Sequence, residues 1–112
     1  MIEKTVLDYL SVQLEAPVFM EVPSECPDAF VVVEKVGESV RDHVRMASIA
    51  CKSYSLSSLY GAACLDGAVK EAMDRFDAPN AGACRMASDY NHTDTRTKRY
   101  RYQCVYDICY VK

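Results

Sequence analysis

Apolar residues near the start of the chain recur with the spacing of a helix. The pattern predicts a helix from about Glu3 to Glu15, and Pro17 ends it because proline cannot continue a helix. Its apolar stripe consists of Val6, Leu7, Leu10 and Leu14. One face of this helix is therefore expected to pack on the rest of the fold.

A second helix is predicted from about Ser57 to Phe76. Ser55 or Ser57 can accept hydrogen bonds from its first backbone N–H groups, while Gly61 and Gly67 weaken it. Its predicted core stripe is Leu59, Ala63, Val69, Met73 and Phe76. The alanines of this segment keep the helix thin enough to lie close on a sheet.

Other apolar runs have the composition of strands. Val18–Val22 predicts a short strand, and the β-branched run Phe30–Val36 predicts a longer one. Gly37-Glu38-Ser39 predicts the turn of a hairpin, with a second extended run beginning near Val40. A helix is the alternative for Val44–Tyr54, but the preceding turn favours a strand.

Two further strands are predicted at Ala83–His92 and Arg99–Val111, separated by a polar link. The second has the strongest alternation in the chain. One face of it carries Tyr100, Tyr102, Cys104, Tyr106, Ile108 and Tyr110. Because side chains alternate along a strand, Arg99 and Arg101 are expected on the opposite, solvated face.

These elements predict an α+β fold in the order α-β-β-β-α-β-β, with two helices packed on one face of a mostly antiparallel sheet. The 112 residues suit a single domain spanning residues 1–112, with one hydrophobic core. The predicted core consists of Val6, Leu7, Leu10, Val32, Ile49, Leu59, Ala63, Met73, Tyr102, Tyr106 and Ile108.

Charge is unevenly distributed along the chain. Thirteen Lys and Arg against sixteen Asp and Glu give a net charge of −3, which argues against a general binder of polyanions. Residues 1–84 have a net charge of −6 and residues 85–112 a net charge of +3. By charge alone, only the C-terminal part could face a phosphate backbone or an acidic partner.

The sequence gives little support to metal or membrane binding. No apolar stretch approaches the roughly 18 residues of a membrane span, and no signal peptide is evident. We therefore expect synthesis in a cytoplasm, where the six cysteines stay reduced and are predicted to be buried, inert thiols. No CxxC pair occurs, and no Cys or His lies within four residues of another, so zinc-ligand spacing is absent.

Catalytic motifs are equally scarce. A Cys–His pair could use only His43 or His92, and neither lies near a nucleophile motif. Acid pairs such as Asp89 and Asp94 are expected by chance among sixteen acids, and there is no Gly-rich phosphate loop, HExxH or EF-hand. We predict that the chain is not an enzyme and has no catalytic residue, cofactor, metal or small-molecule substrate.

A basic cluster lies between the last two predicted strands and at the start of the second. This basic segment consists of Arg96, Lys98, Arg99 and Arg101. Its interleaved tyrosines superficially resemble a nucleic-acid-binding strand, but alternation places rings and charges on opposite faces. A solvated face is the main interpretation, and an acidic protein partner or nucleic acid are the alternatives. We name these four residues as a candidate interface.

Three segments resemble small proteins from the structural gene modules of long-tailed bacteriophages and their prophages. They are VVVEKVG (31–37), ASIACKSYSLSSLYGAACLDGAVKEAM (47–73) and SDYNHTDTRTKRYRYQCVYDICYV (88–111). The family pattern has an "IEK-G" strand, a strand ending in "QSYA" or similar, an alanine-rich helix, and "SDYNFTD" leading into "TKRYRYQ". Residues 88–103 are the most specific part, while His92 and Cys51 depart from the pattern.

The resemblance is to tail terminator or tail completion (head–tail joining) proteins with the lambda-type tail terminator fold. It implies a virion protein at the head-proximal end of the tail, assembled in the host bacterial cytoplasm as a homohexameric ring. Implied partners are other copies of the chain, the tail tube protein and the head connector protein, with DNA only passing through the tail and no membrane. A head–tail connector (neck) or minor capsid protein is the near alternative. A small nucleic-acid-binding module is the alternative of another class.

In such a ring, charge complementarity would orient neighbouring subunits. The acidic surface of one subunit could contact the basic segment of the next, and the contact would close into a ring if the rotation permits.

Overall fold

The computed structural model describes residues 1–94, 96, 97 and 99–111 and has the predicted α+β architecture. The elements are α1 (Ile2–Gln13), β1 (Val18–Phe19), β2 (Ala29–Arg41), β3 (Val44–Ser55), α2 (Leu59–Met73), β4 (Ala81–Asn91) and β5 (Tyr100–Tyr110). The order α-β-β-β-α-β-β is confirmed, and Val44–Tyr54 is a strand as predicted.

The five strands form one sheet in the order β1-β2-β3-β5-β4. The pairs β2–β3, β3–β5 and β5–β4 are antiparallel, while β1 pairs with β2 in parallel through Val18 and Phe19 alone. β5 therefore lies inside the sheet, between β3 and β4.

The turn of the β2–β3 hairpin was predicted at the wrong place. It consists of Asp42 and His43, both with positive φ (49° and 67°), which suits the tight turns that match the twist of paired strands. Gly37-Glu38-Ser39 instead continues β2, where the register shifts between Lys35 and Gly37. A glycine inside a strand often marks a bulge, which explains the error.

Both helices pack on one face of the sheet and enclose the main core. Buried members include Ile2, Val6, Leu10, Val31, Val33, Ile49, Cys51, Val69, Met73, Cys104, Tyr106 and Ile108. The two helices are joined directly, because the Tyr9 hydroxyl donates to the Ala72 carbonyl at 2.6 Å and the Tyr9 ring meets Phe76 edge-on.

Several predicted core residues lie elsewhere. The prediction for Leu59 is wrong, since this residue is 39% exposed. Leu7, Ala63 and Tyr102, which were also predicted in the core, are half-buried. The buried face of α2 carries Ala62, Asp66, Val69, Ala72 and Met73. Asp66 interrupts the apolar pattern on this face, and for that reason the predicted stripe was displaced around the helix.

Within the described residues, no helix lies on the opposite face of the sheet. At one end Phe30, Val32 and Tyr54 are buried with Phe19 and Cys26, and the Phe30 and Tyr54 rings stack at 4.6 Å. Val32 is thus buried as predicted, but outside the main core. The remainder, here called the open face, carries polar pairs such as Ser48 with Asp107 at 2.7 Å.

Candidate protein–protein interface on the open face

The distal part of the β2–β3 hairpin is an arm, defined here as residues 36–46. All of residues 34–44 are exposed. Four large apolar side chains are exposed along the arm: Val36, Val40, Val44 and Met46. Burying them against a partner would stabilise an assembly by removing apolar surface from water.

Polar contacts hold the base of the arm to the sheet. The Glu38 carboxylate accepts from Arg45 Nη1 at 3.0 Å and from the Tyr110 hydroxyl, and it lies 3.6 Å from Lys35 Nζ. The Tyr110 hydrogen bond is the main cause that lowers the pKa of Glu38, and it also raises the pKa of Tyr110. The arm is therefore anchored to β5 at the level of Glu38.

A groove runs from the arm across the open face to β4. The groove has two sections, one beside the arm and one beside β4, and Met46 and Cys109 line both. The section beside the arm has a volume of about 550 Å³ and is also lined by Ser39, Val40, Arg41, Asp42 and Val44. The section beside β4 has a volume of about 380 Å³ and is also lined by Ala83, Arg85, Met86 and Asp107. The groove thus joins exposed apolar side chains from three strands.

The basic segment lies at the other end of β5. Arg96 and Arg99 are exposed, and Asp94 and Arg99 form an isolated β-bridge. The Arg96 backbone N–H donates to Asp94 Oδ1 at 3.0 Å, which is the main cause that lowers the pKa of Asp94. Lys98 lies outside the described residues.

Arg101, the fourth predicted interface residue, is engaged within the chain. Its Nε donates to the His92 carbonyl at 2.8 Å, and its Nη1 donates to the Tyr54 hydroxyl at 3.1 Å. The guanidinium carbon lies 5.5 Å from the centre of the Tyr54 ring, within the range of a cation–π contact. Arg101 is on the opposite face from Tyr106, as the alternation predicted, but two of its five N–H donors are engaged within the chain by His92 and Tyr54.

A polar cluster under α2 was missed by the sequence analysis. Asp66 is only 2% exposed, and its Oδ2 lies 3.6 Å from Lys70 Nζ, which in turn donates to Asp89 Oδ2 at 2.7 Å. The cluster therefore ties α2 to β4. The i,i+4 spacing of Asp66 and Lys70 was the available signal, but nothing in it showed that Asp66 is buried.

Burial is the main cause that raises the pKa of Asp66 to about 7, followed by its hydrogen bond and proximity to Asp89. Burial acts in the same direction on Asp89, but hydrogen bonds with Asp66 and Lys70 outweigh it and lower that pKa. The Asp89 hydrogen bond raises the pKa of Lys70. Among the described residues, Asp66 Oδ1 has no hydrogen-bond partner.

The cysteines only partly match the prediction of buried thiols. Cys51 and Cys104 are buried opposite each other on β3 and β5, and burial raises the pKa of Cys84 to about 11. Cys64 is exposed, contrary to the prediction. All six are free thiols.

The part of the chain that the structure describes has no group of three or more His, Cys, Asp or Glu side chains placed to hold a metal ion. Within those same residues, neither helix is long and apolar enough to cross a bilayer. Comparison with protein-family models and with curated proteins found no match.

Proposed function

We propose that this chain is a structural protein of the head–tail junction of a long-tailed phage. Copies of it would form a ring that caps the tail tube and presents a surface to the head connector. The observation that carries the proposal is the arm, whose apolar side chains are exposed beside the groove. Contiguous exposed apolar residues of this kind mark interaction sites on soluble proteins.

The resemblance to phage proteins supports the same proposal. Its three segments fall on the middle of β2, on β3 with α2, and on the end of β4 with β5, so they cover much of the three inner strands and the helix packed on them. A neck or minor capsid protein of the same gene module would use the same kind of surface. Both alternatives share the essential feature of the proposal, which is binding to other virion proteins without chemistry.

Deletion of the gene from a phage that encodes this chain tests the proposal directly. We expect electron microscopy to show tails of abnormal length, or complete tails and heads that fail to join. The wild-type gene supplied in trans should restore infectious particles. Normal virions from the deletion strain would overturn the assignment to the head–tail junction.

The same complementation assay tests the basic segment. Arg96→Glu with Arg99→Glu is expected to leave the fold intact, since exposed substitutions usually change stability by less than about 0.5 kcal/mol each. We expect this double variant to fail in complementation because the reversed charge would repel an acidic partner. Arg101 is not part of the test, because its contacts with His92 and Tyr54 would confuse a binding defect with a folding defect. Particles of normal yield and length would show that Arg96 and Arg99 lie on an ordinary solvated link.

A salt titration separates this proposal from a nucleic-acid-binding module. With a net charge of −3 and Arg101 engaged within the chain, we expect weak DNA binding at physiological salt. A dedicated DNA binder would lose affinity linearly on a log–log plot against salt, with a slope set by the phosphates it neutralises. Fluorescence anisotropy with a labelled duplex, from low to physiological salt, is the measurement. Tight binding at physiological salt would favour the nucleic-acid alternative.

A further inference from the structure

The sheet ends in two strand edges that are open within the described residues. β4 is the terminal strand on one side. On the other side β1 pairs only with Val31 and Val32, so the rest of β2 has no strand beside it. Open edges expose backbone N–H and C=O groups that another strand can bind.

In an antiparallel pair, the backbone N–H and C=O groups of successive residues point alternately towards the partner strand and away from it. This alternation identifies the residues of β2 whose backbone groups face outwards, away from β3. The Asp28 carbonyl accepts from Leu56 on the β3 side, whereas the Val31 N–H donates to Pro17 on the outer side. Val33 and Lys35 therefore face outwards as well. Counting back from the two-residue turn, in which Arg41 pairs with Val44, places Glu38 and Val40 outwards too.

The same reasoning applies to β4. The His92 N–H donates to the Arg101 carbonyl, and the Val111 N–H donates to the Asn80 carbonyl, so the odd-numbered residues of β5 face β4. The β4 residues that pair with even-numbered residues of β5 must then face outwards. They are Ala81, at the start of the strand before a first register shift, and then Cys84, Met86, Asp89 and Asn91.

The two open edges have the same spacing. Outward-facing residues occur at 33, 35, 38 and 40 on β2 and at 84, 86, 89 and 91 on β4. On each edge a register shift lies between the second and third of these positions, at Lys35/Gly37 and at Met86/Ser88. Each edge is therefore bent at its middle by one extra residue.

The two bends lie one row of paired residues apart in the sheet. One row of paired residues is Val33, Cys51, Cys104 and Asp89. The next rows are Lys35, Ile49, Tyr106 and Met86, and then Glu38, Ala47, Ile108 and Cys84. The bend of β2 lies between the second and third of these rows and the bend of β4 between the first and second, so a copy shifted by about two residues along the strands would set one bend against the other.

Strand direction fits such a neighbour. β2 and β5 run in one direction and β4 runs in the other. If copies are related by rotation about an axis from which the strands are moderately tilted, neighbouring copies are shifted along the strands and β4 of one copy is antiparallel to β2 of the next. Apolar residues at these edges are exposed in the single chain and would be buried by the neighbouring copy. Val36, Val40 and Met86 are 53%, 60% and 53% exposed.

We propose that the ring contact is strand addition between copies, in which β4 of one subunit pairs antiparallel with the free part of β2 of the next. This inference rests on the ring assembly of the proposed function and identifies its subunit contact. Each subunit offers two different edges, so the contact is heterologous and repeats until the rotation closes. Bent edges hinder pairing with ordinary flat strands, so the matched bends favour a second copy of this chain as the partner.

Two proline variants test the proposal by blocking one edge each. Val40→Pro removes an outward N–H from β2, and Met86→Pro removes one from β4, so neither loses a hydrogen bond within the chain. By native mass spectrometry over a range of concentrations, we expect rings from the wild-type chain and only monomers from each variant. An equimolar mixture should give a one-to-one heterodimer and nothing larger, because Val40→Pro keeps its β4 edge and Met86→Pro keeps its β2 edge.

Val40→Ala and Met86→Ala are the matched controls, since they shorten the same side chains but keep the N–H groups. They are expected to form rings, and circular dichroism should show wild-type secondary structure for all four variants. Homodimers of either proline variant would indicate an isologous contact and overturn the proposal. Rings formed by both proline variants would overturn strand addition while leaving the proposed function in place. A wild-type chain that stays monomeric even with the tail tube protein would overturn the ring itself.

Discussion

Asp66→Asn is expected to remove the loss of stability that ionisation of Asp66 causes between about pH 4 and pH 7. Burial raises the pKa of Asp66 to about 7 in the folded protein, whereas an unfolded Asp titrates near 3.9. The folded state therefore binds the extra proton in this range, and the free energy of unfolding of the wild type falls as the pH rises through it. A difference of about three pKa units corresponds to a loss of up to roughly 4 kcal/mol.

The amide of the variant is neutral at every pH and can donate to Asp89 as protonated Asp66 does. We therefore expect the variant to match the wild type near pH 5 and to exceed it in stability by a few kcal/mol near pH 8. Urea unfolding at several pH values provides the measurement. Asp74→Asn, at the exposed C-terminal end of the same helix, is the control and should run parallel to the wild type. Parallel curves for Asp66→Asn and the wild type would contradict the burial of a raised-pKa carboxyl.

Ile49→Ala is expected to lower the free energy of unfolding by about 2–5 kcal/mol, because it leaves a cavity at a position that is completely buried between sheet and helices. Leu59→Ala removes a similar side chain from the partly exposed start of α2 and is expected to cost less than about 1 kcal/mol. Denaturant unfolding of the two variants compares them directly. Equal losses would mean that the predicted stripe through Leu59, and not the observed face through Ala62 and Val69, forms the core contact.

Much of the fold could be predicted because its strands carry regular alternation. In β5, Tyr106 and Ile108 are buried and Arg101 lies on the other face, as period-2 geometry requires. The errors arise where a residue type has two structural uses. Gly37 accompanies a bulge and not a turn, and the actual turn uses Asp42 and His43, which lack the glycine that such turns usually contain.

The candidate interface was harder to predict than the fold. Arg101 was grouped with Arg96 and Arg99 by position in the chain, but its contacts with Tyr54 and His92 are long-range and leave no local pattern. The Asp66, Lys70 and Asp89 cluster depends in the same way on the Lys70–Asp89 contact, which joins two elements that are distant in sequence. The exposed arm exists because β2 extends well beyond the two residues that pair with β1. Because the turn was predicted at Gly37-Glu38-Ser39, this extension of β2 was not predicted.

The position of β5 in the sheet also constrains how the chain folds during synthesis. β5 follows all the other strands in the chain, yet it lies between β3 and β4 and supplies one side of both ladders. A nascent chain can form the β2–β3 hairpin early, but β4 has no partner until residues 100–110 have left the ribosome. Completion of the sheet therefore waits for β5, and the β3–β5 pairing joins residues far apart in the sequence, which slows folding. During this interval the Ile49 face of β3 lacks its neighbour on β5, so the half-made sheet depends on rapid completion or on chaperones to avoid aggregation.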